Sequence, residues 1–161
     1  MITIRKIAKQ DNLEIAKIIR EALEEHQANK PGTVYDDPTT DDLYTLFKAE
    51  QGEYWVAIVD GDIIGGCGYY LTPGLPSGTA ELVKLYIKKD QRGKGIGKLL
   101  IENTIEHLKN KNYKKLYLES MPELSQAIHL YEKFGFTQRT EPLGNSGHFA
   151  CDLYMELEIK Q

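Results

Sequence analysis

The sequence predicts one α/β domain built on a mixed sheet. Three observations carry that expectation. Residues 53–59, 62–71 and 79–87 are apolar, β-rich runs in succession, and Asp60-Gly61 between the first two is a hairpin signal. The run 79–87, an apolar-faced helix from Gly95 to about residue 110 and the run 114–119 then follow as strand, helix, strand, which makes one right-handed parallel crossover. Two late runs, 136–139 and 150–158, close the chain around Gly144-Asn145-Ser146-Gly147-His148. No repeat, low-complexity tract or linker interrupts this order, so residues 1–161 read as a single domain.

The elements follow from local pattern. Ile2, Ile4 and Ile7 alternate with polar residues, as in a half-buried strand. Asp11, with Glu14 three residues on, predicts the capped start of a helix whose apolar face is Ile15, Ile19, Ala22 and Leu23, with His26 at its boundary. Pro31-Gly32 and Asp37-Pro38 mark a loop over residues 29–40. That loop holds Tyr35, Asp36 and Asp37, and reads either as a solvated connector or as a recognition loop for a cationic substrate. A second helix carries Leu43, Leu46 and Phe47. Gly65, Gly66 and Gly68 suggest a bulge or a close backbone approach in the strand that contains them. The helix from Gly95 should bury Ile96, Leu99, Leu100, Ile101, Ile105 and Leu108 against a sheet. Pro122 suits the first turn of a last helix and Gly135 its C-terminal cap.

Composition removes several function classes. The chain is 41% hydrophobic and 27% charged, normal for a globular protein of 161 residues. Its net charge of -4 gives no general footprint for nucleic acid. Cys67 and Cys151 are far apart and lack a ligand set around them, so neither a structural metal nor a disulfide framework is expected. No stretch reads as a leader peptide or a membrane span, and a cytoplasmic protein is the expectation.

The stretch Gln91-Arg92-Gly93-Lys94-Gly95-Ile96-Gly97-Lys98 is the centre of the chain. Glycines bare the backbone there, and the helix start beyond them offers unpaired N–H groups at the positive end of a dipole, an anion cradle. It is not a Walker A loop: Leu99 follows Gly97-Lys98 where a hydroxyl is needed, and no glycine stands five before Gly97. It is not a dinucleotide fingerprint either, because the third glycine would fall at Lys98. The pattern Arg92-x-x-Gly95-x-Gly97 resembles the acetyl-CoA pyrophosphate loop of the GNAT superfamily, the acetyl-CoA-dependent N-acetyltransferases. Ala80-Glu81-Leu82-Val83-Lys84-Leu85-Tyr86-Ile87 resembles that family's fourth strand. Ala127-Ile128-His129-Leu130-Tyr131-Glu132-Lys133-Phe134-Gly135-Phe136 resembles the end of its last helix. All three stand in the family's order and spacing. One departure is Leu124, where many members carry an asparagine; Ser120 or Ser125 would have to replace it.

The resemblance implies a mostly antiparallel mixed sheet of about seven strands with about four helices. It also implies acetyl transfer from acetyl-CoA to a primary amine of a small molecule or peptide, by direct attack in a ternary complex. Arg92, Gly93, Lys94, Gly95, Ile96, Gly97 and Lys98 would hold the pyrophosphate. Leu85, Tyr86 and Ile87 would pair with the pantetheine where the sheet opens, with the Leu85 N–H at the thioester oxygen. Tyr131 would protonate the departing thiolate, although its helical face also suits a core residue. Glu81 would be the general base, against a plain reading as an exposed strand residue paired with a lysine. Tyr35, Asn145 and His148 are candidates for the acceptor side; His148 can equally be part of a surface turn. Cys151 reads as a buried residue rather than a nucleophile. No metal, nucleic-acid or membrane partner is expected, and a homodimer, common in the family, is left open. The competing functions are a non-catalytic acyl-CoA-binding regulator and, disfavoured by the missing Walker residues, a phosphoryl-transfer enzyme.

Overall fold

The computed structural model describes residues 1–48 and 51–161. The strands are β1 Ile2–Lys6, β2 Gly52–Val59, β3 Asp62–Tyr70, β4 Thr79–Ile87, β5 Lys115–Ser120, β6 Thr137–Arg139 and β7 Leu153–Glu158. The helices are α1 Asn12–Glu25, α2 Leu43–Lys48, α3 Ile96–Asn110 and α4 Ser125–Phe134. One seven-stranded sheet runs in the order β1-β2-β3-β4-β5-β7-β6. Its single parallel pair is β4 with β5, the crossover that the strand-helix-strand pattern predicts.

Strand alternation divides the core in two. On one face Tyr54 and Val56 of β2 pack with Ile15, Ile18, Ile19 and Leu23 of α1 and Leu43 and Phe47 of α2. On the other, Trp55 and Ala57 pack with Leu100, Ile101 and Leu108 of α3 and Tyr131 of α4.

Two local expectations are corrected. Asp11 does not cap α1. Its carboxylate instead accepts the Ala8 N–H at 2.7 Å, one turn back, and binds the Arg5 guanidinium at 2.7 and 3.0 Å. Glu14 pairs with Lys88 of the segment after β4, at 2.9 Å. Leu99 is not part of the buried stripe of α3. That stripe is Ile96, Gly97, Leu100, Ile101, Thr104 and Leu108, and Leu99 falls on the opposite side of the helix, 40% exposed. Apolar character alone suggested a wider face than the sheet covers.

The glycines of β3 are sites of close approach, as expected. A Cβ on Gly66 would lie 2.6 Å from the Tyr54 ring and hydroxyl, and one on Gly68 would lie 2.1 Å from the Glu53 carbonyl. With both positions bare, Tyr54 lies across β3, and its hydroxyl donates to the Lys84 carbonyl of β4 at 2.7 Å.

That carbonyl belongs to a bulge. Pairing runs Gly65↔Ile87 and Gly66↔Tyr86, then resumes at Gly68↔Val83, so β4 holds one residue more than β3. Lys84 takes a φ of 54° there. The extra residue exchanges the faces of the strand. Leu82 and Leu85, three apart, both pack on the α3 side, while Val83 and Tyr86 both pack on the α1 side.

Candidate active site

The site is a fork in the sheet. β4 and β5 pair only at Thr79↔Lys115, Ala80↔Leu116 and Glu81↔Tyr117. Beyond Glu81 the two strands part, and β5 continues on β7 alone. A cavity of about 430 Å³ occupies the fork. The second half of β4, the end of β5, α4 and the glycine loop all line it.

At one end lies the loop that precedes α3. The N–H groups of residues 93–98 find no backbone acceptor among the described residues. Gly95 caps α3 at a φ of 82°, a conformation that costs glycine little. Cβ atoms added to Gly93 or Gly95 would meet nothing within 4 Å, so both face open space. Gly97 serves packing instead, since a Cβ there would lie 2.9 Å from Leu130 of α4 and 3.2 Å from Ile87. Free donors, a helix dipole and an open groove fit a pyrophosphate. The fork leaves Leu85, Tyr86 and Ile87 lining the cavity without a strand on that side, which fits an extended pantetheine chain.

The cations of the loop are arranged differently from the expectation. Arg92 lines the cavity with its guanidinium held by structural partners: its Nε donates to the Ile87 carbonyl at 3.0 Å, and its Nη1 binds Glu25 at 2.6 Å. It clamps the end of β4 to the end of α1. Lys94 is exposed and reaches only Gln91, at 3.3 Å. Lys98 is exposed, lines the cavity, and approaches Glu102 at 3.7 Å. The backbone is therefore the main donor set.

At the other end lie Glu81 and Tyr131. Glu81 is 5% exposed and accepts the Thr72 hydroxyl at 2.6 Å. Burial, opposed by that hydrogen bond and reinforced by nearby Glu119, pushes its carboxyl up to about 7. This is a buried carboxyl, not an exposed strand residue bound to a lysine. Tyr131 is 8% exposed and packs on Phe136 with ring centroids 5.7 Å apart. It is thus core and cavity wall at once. Burial, with Cys67 and Tyr86 close by, raises its hydroxyl above the usual phenol range.

Of the acceptor-side candidates, only His148 lines the cavity. Its ring bonds Asp37 at 2.9 Å. Burial pushes Asp37 up, but His148 and Thr39 outweigh it and hold the carboxyl at about 2. Tyr35 packs in the α1-side core instead, and Asn145 is exposed, its N–H donating to the Pro73 carbonyl at 2.8 Å. Ser120 lines the cavity beside Leu124, whereas Ser125 is exposed.

Sequence reasoning missed two residues here. Glu119 accepts the Tyr117 hydroxyl at 2.7 Å and the Ser146 hydroxyl at 2.5 Å, which fastens the 144–148 loop to β5. Lys84 is 9% exposed and faces Asp37, Glu81 and Cys151. Its entry into the cavity depends on the bulge, which strand periodicity does not announce. Cys151 is half-buried, and burial pushes its thiol up to about 12, as suits an inert cysteine. Among the described residues, no cluster of three metal-ligating side chains is present, and no helix is long and apolar enough to cross a membrane.

Comparison with known proteins decides the family. The model of the acetyltransferase (GNAT) family matches residues 16–136. The chain belongs to the GNAT family. An uncharacterized N-acetyltransferase of Escherichia coli K12, YjgM, is 36% identical over 158 residues, covering 97% of this chain and 94% of that protein. A GNAT-family acetyltransferase from Staphylococcus aureus Mu50 superposes with a TM-score of 0.80 at 21% identity, covering 99% of this chain and 100% of that one. The PaiA N-acetyltransferase of Thermoplasma acidophilum, solved in complex with coenzyme A, superposes with a TM-score of 0.77 at 21% identity, covering 98% and 99%. The seven-stranded mixed sheet with one parallel pair is the GNAT fold.

Proposed function

We propose that this GNAT protein transfers the acetyl group of acetyl-CoA to a primary amine of a small molecule or peptide, by direct attack while both are bound. The observation that carries this reading is a single cavity with free backbone donors at one end and a buried carboxyl and a phenol at the other. A bound acetyl-CoA supplies the thioester, whose C–S bond breaks as the C–N bond forms.

The roles divide along the cavity. The N–H groups of residues 93–98 hold the pyrophosphate, and Leu85 to Ile87 align the pantetheine as an added strand. The Leu85 N–H stabilises charge on the thioester oxygen. Glu81, poised at about 7, takes the proton that the attacking amine loses. The Tyr131 hydroxyl makes no hydrogen bond among the described residues and opens to the cavity, so it is available to protonate the thiolate. Its raised pKa keeps it in the donor form at every physiological pH.

Release of free thiol from acetyl-CoA over a panel of amines tests the reaction. Tyr131→Phe should lower turnover by about a hundredfold, the lower range for a positioned acid, with acetyl-CoA KM within about twofold. Equal turnover would remove Tyr131 from the chemistry. CoA binding with no thiol from any amine would favour an acyl-CoA-binding regulator instead.

A further inference from the structure

We infer that the acceptor amine carries a carboxylate and that Lys84 holds it. This rests on the acetyltransferase reading and narrows its substrate class to amino-acid-like amines.

Lys84 is a largely buried lysine that lines the cavity and has no side-chain partner among the described residues. Only 9% of it is exposed, and it lines the acceptor end of the cavity with Glu81, Glu119, His148 and Cys151. Its Nζ enters none of the ion pairs or side-chain hydrogen bonds of the described residues. Of the acids it faces, Asp37 is occupied on both oxygens and Glu81 on one. Asp37 holds His148 on one oxygen, and on the other the Thr39 hydroxyl and N–H, at 2.7 and 2.9 Å. Glu81 holds Thr72, and the Cys151 thiol stays neutral. Glu119, further along the wall, holds Tyr117 and Ser146.

Burial without an acceptor disfavours the charged form of Lys84, and a methionine would fill the same volume at less cost. The position therefore makes sense when a ligand supplies the missing acceptor. A single cation among Asp37, Glu81 and Glu119 suits a monoanion; a phosphate dianion would meet net repulsion. The bulge turns Lys84 to the side of β4 that carries Glu81, where it faces both Glu81 and Asp37. One small molecule can then present its carboxylate to Lys84 and its amine to Glu81. A polyamine, although drawn by the same acids, would bring no partner for Lys84.

The test compares each common amino acid with its carboxamide as acceptor, by thiol release at saturating acetyl-CoA. Spermidine serves as a cationic control. At least one acid should exceed its amide in kcat/KM by about tenfold or more, the range of a charge-assisted hydrogen bond. Lys84→Met should collapse that ratio toward one, mainly through acceptor KM. It should also raise the melting temperature of the free protein by a few degrees, because the uncompensated charge is gone. CoA protection in the same melts checks that the donor site of the variant is intact. Equal rates for acids and amides, or preference for spermidine, would overturn the carboxylate inference and leave the acetyltransferase reading standing. CoA binding with no thiol from any acceptor would overturn both. A Lys84→Met variant with an unchanged acid-to-amide ratio would show that the lysine serves the fold.

Discussion

Glu81 owes its chemistry to burial. An exposed glutamate is fully ionised at neutral pH and is a weak base; one held at about 7 takes a proton readily and remains partly ionised. Activity should therefore rise with pH through about 7, and Glu81→Gln should remove that limb from the kcat/KM profile. The same shift affects stability. The folded carboxyl retains its proton to a higher pH than the unfolded one, whose ordinary value is 4.5. Between 4.5 and about 7 the native state holds more protons than the unfolded state, so stability falls as pH rises through that window. The loss is at most about 3 kcal/mol. Glu81→Gln should melt close to wild type at pH 5 and above it at pH 8, and coincident melts at pH 8 would show that Glu81 titrates normally. That Glu81 and Tyr131 line one cavity was legible in the sequence because each sits at a fixed offset within a resembling motif. Lys84 and Glu119 were not. Their surroundings are made by a bulge and by a loop that arrives from far along the chain.

At the scale of elements, the bulge of β4 is held from two strands away. Tyr54 reaches the Lys84 carbonyl only because Gly66 and Gly68 leave its path clear. Tyr54→Phe strands a buried carbonyl, which costs about 1–3 kcal/mol, and should weaken acetyl-CoA binding as the Leu85 segment loosens. Chemical denaturation and a CoA titration check the two effects separately. Gly95 allows a cleaner division. A Cβ there meets nothing, so Gly95→Ala should cost only the strain of its φ, about 1–2 kcal/mol. The methyl would project into the groove, and CoA affinity should fall about tenfold or more by calorimetry. Unchanged affinity would mean that the loop does not hold the pyrophosphate. The glycine pattern was readable because spacing alone separated it from the nucleotide loops. The ion pair of Arg92 was not. Glu25, its partner, lies 67 residues away.

Across the whole molecule, three residue pairs join β4 to β5, and loops lace the rest. His148 bonds Asp37, the Ala150 N–H donates to the Gly32 carbonyl at 3.1 Å, and Lys30 binds Glu123. All three ties run from the loop after α1 to segments that follow β5. A ligand in the fork should act as the absent strand. At a hundred times its Kd, CoA should stabilise the protein by about 2.7 kcal/mol. Amides of residues 82–87 should slow most in hydrogen exchange, and uniform protection without that focus would argue against added-strand binding. The meander, the crossover and the order of elements were legible because period-two runs and turn residues are local signals. The lacing was invisible, because Asp37 and His148 stand 111 residues apart and each looks like an ordinary loop residue.

The extra residue in β4 has one more consequence. It works as a frame shift in the pleat, so the strand is written in two phases that meet at Lys84. Before it, odd positions face the α1 side; after it, even positions face that side while Leu85 and Ile87 keep the α3-side core. Substitutions upstream can retune the amine that is accepted without rewriting the donor half. Deleting Lys84 would restore plain alternation with Leu85 and Ile87 still on the α3 side, and would remove the carbonyl that Tyr54 holds.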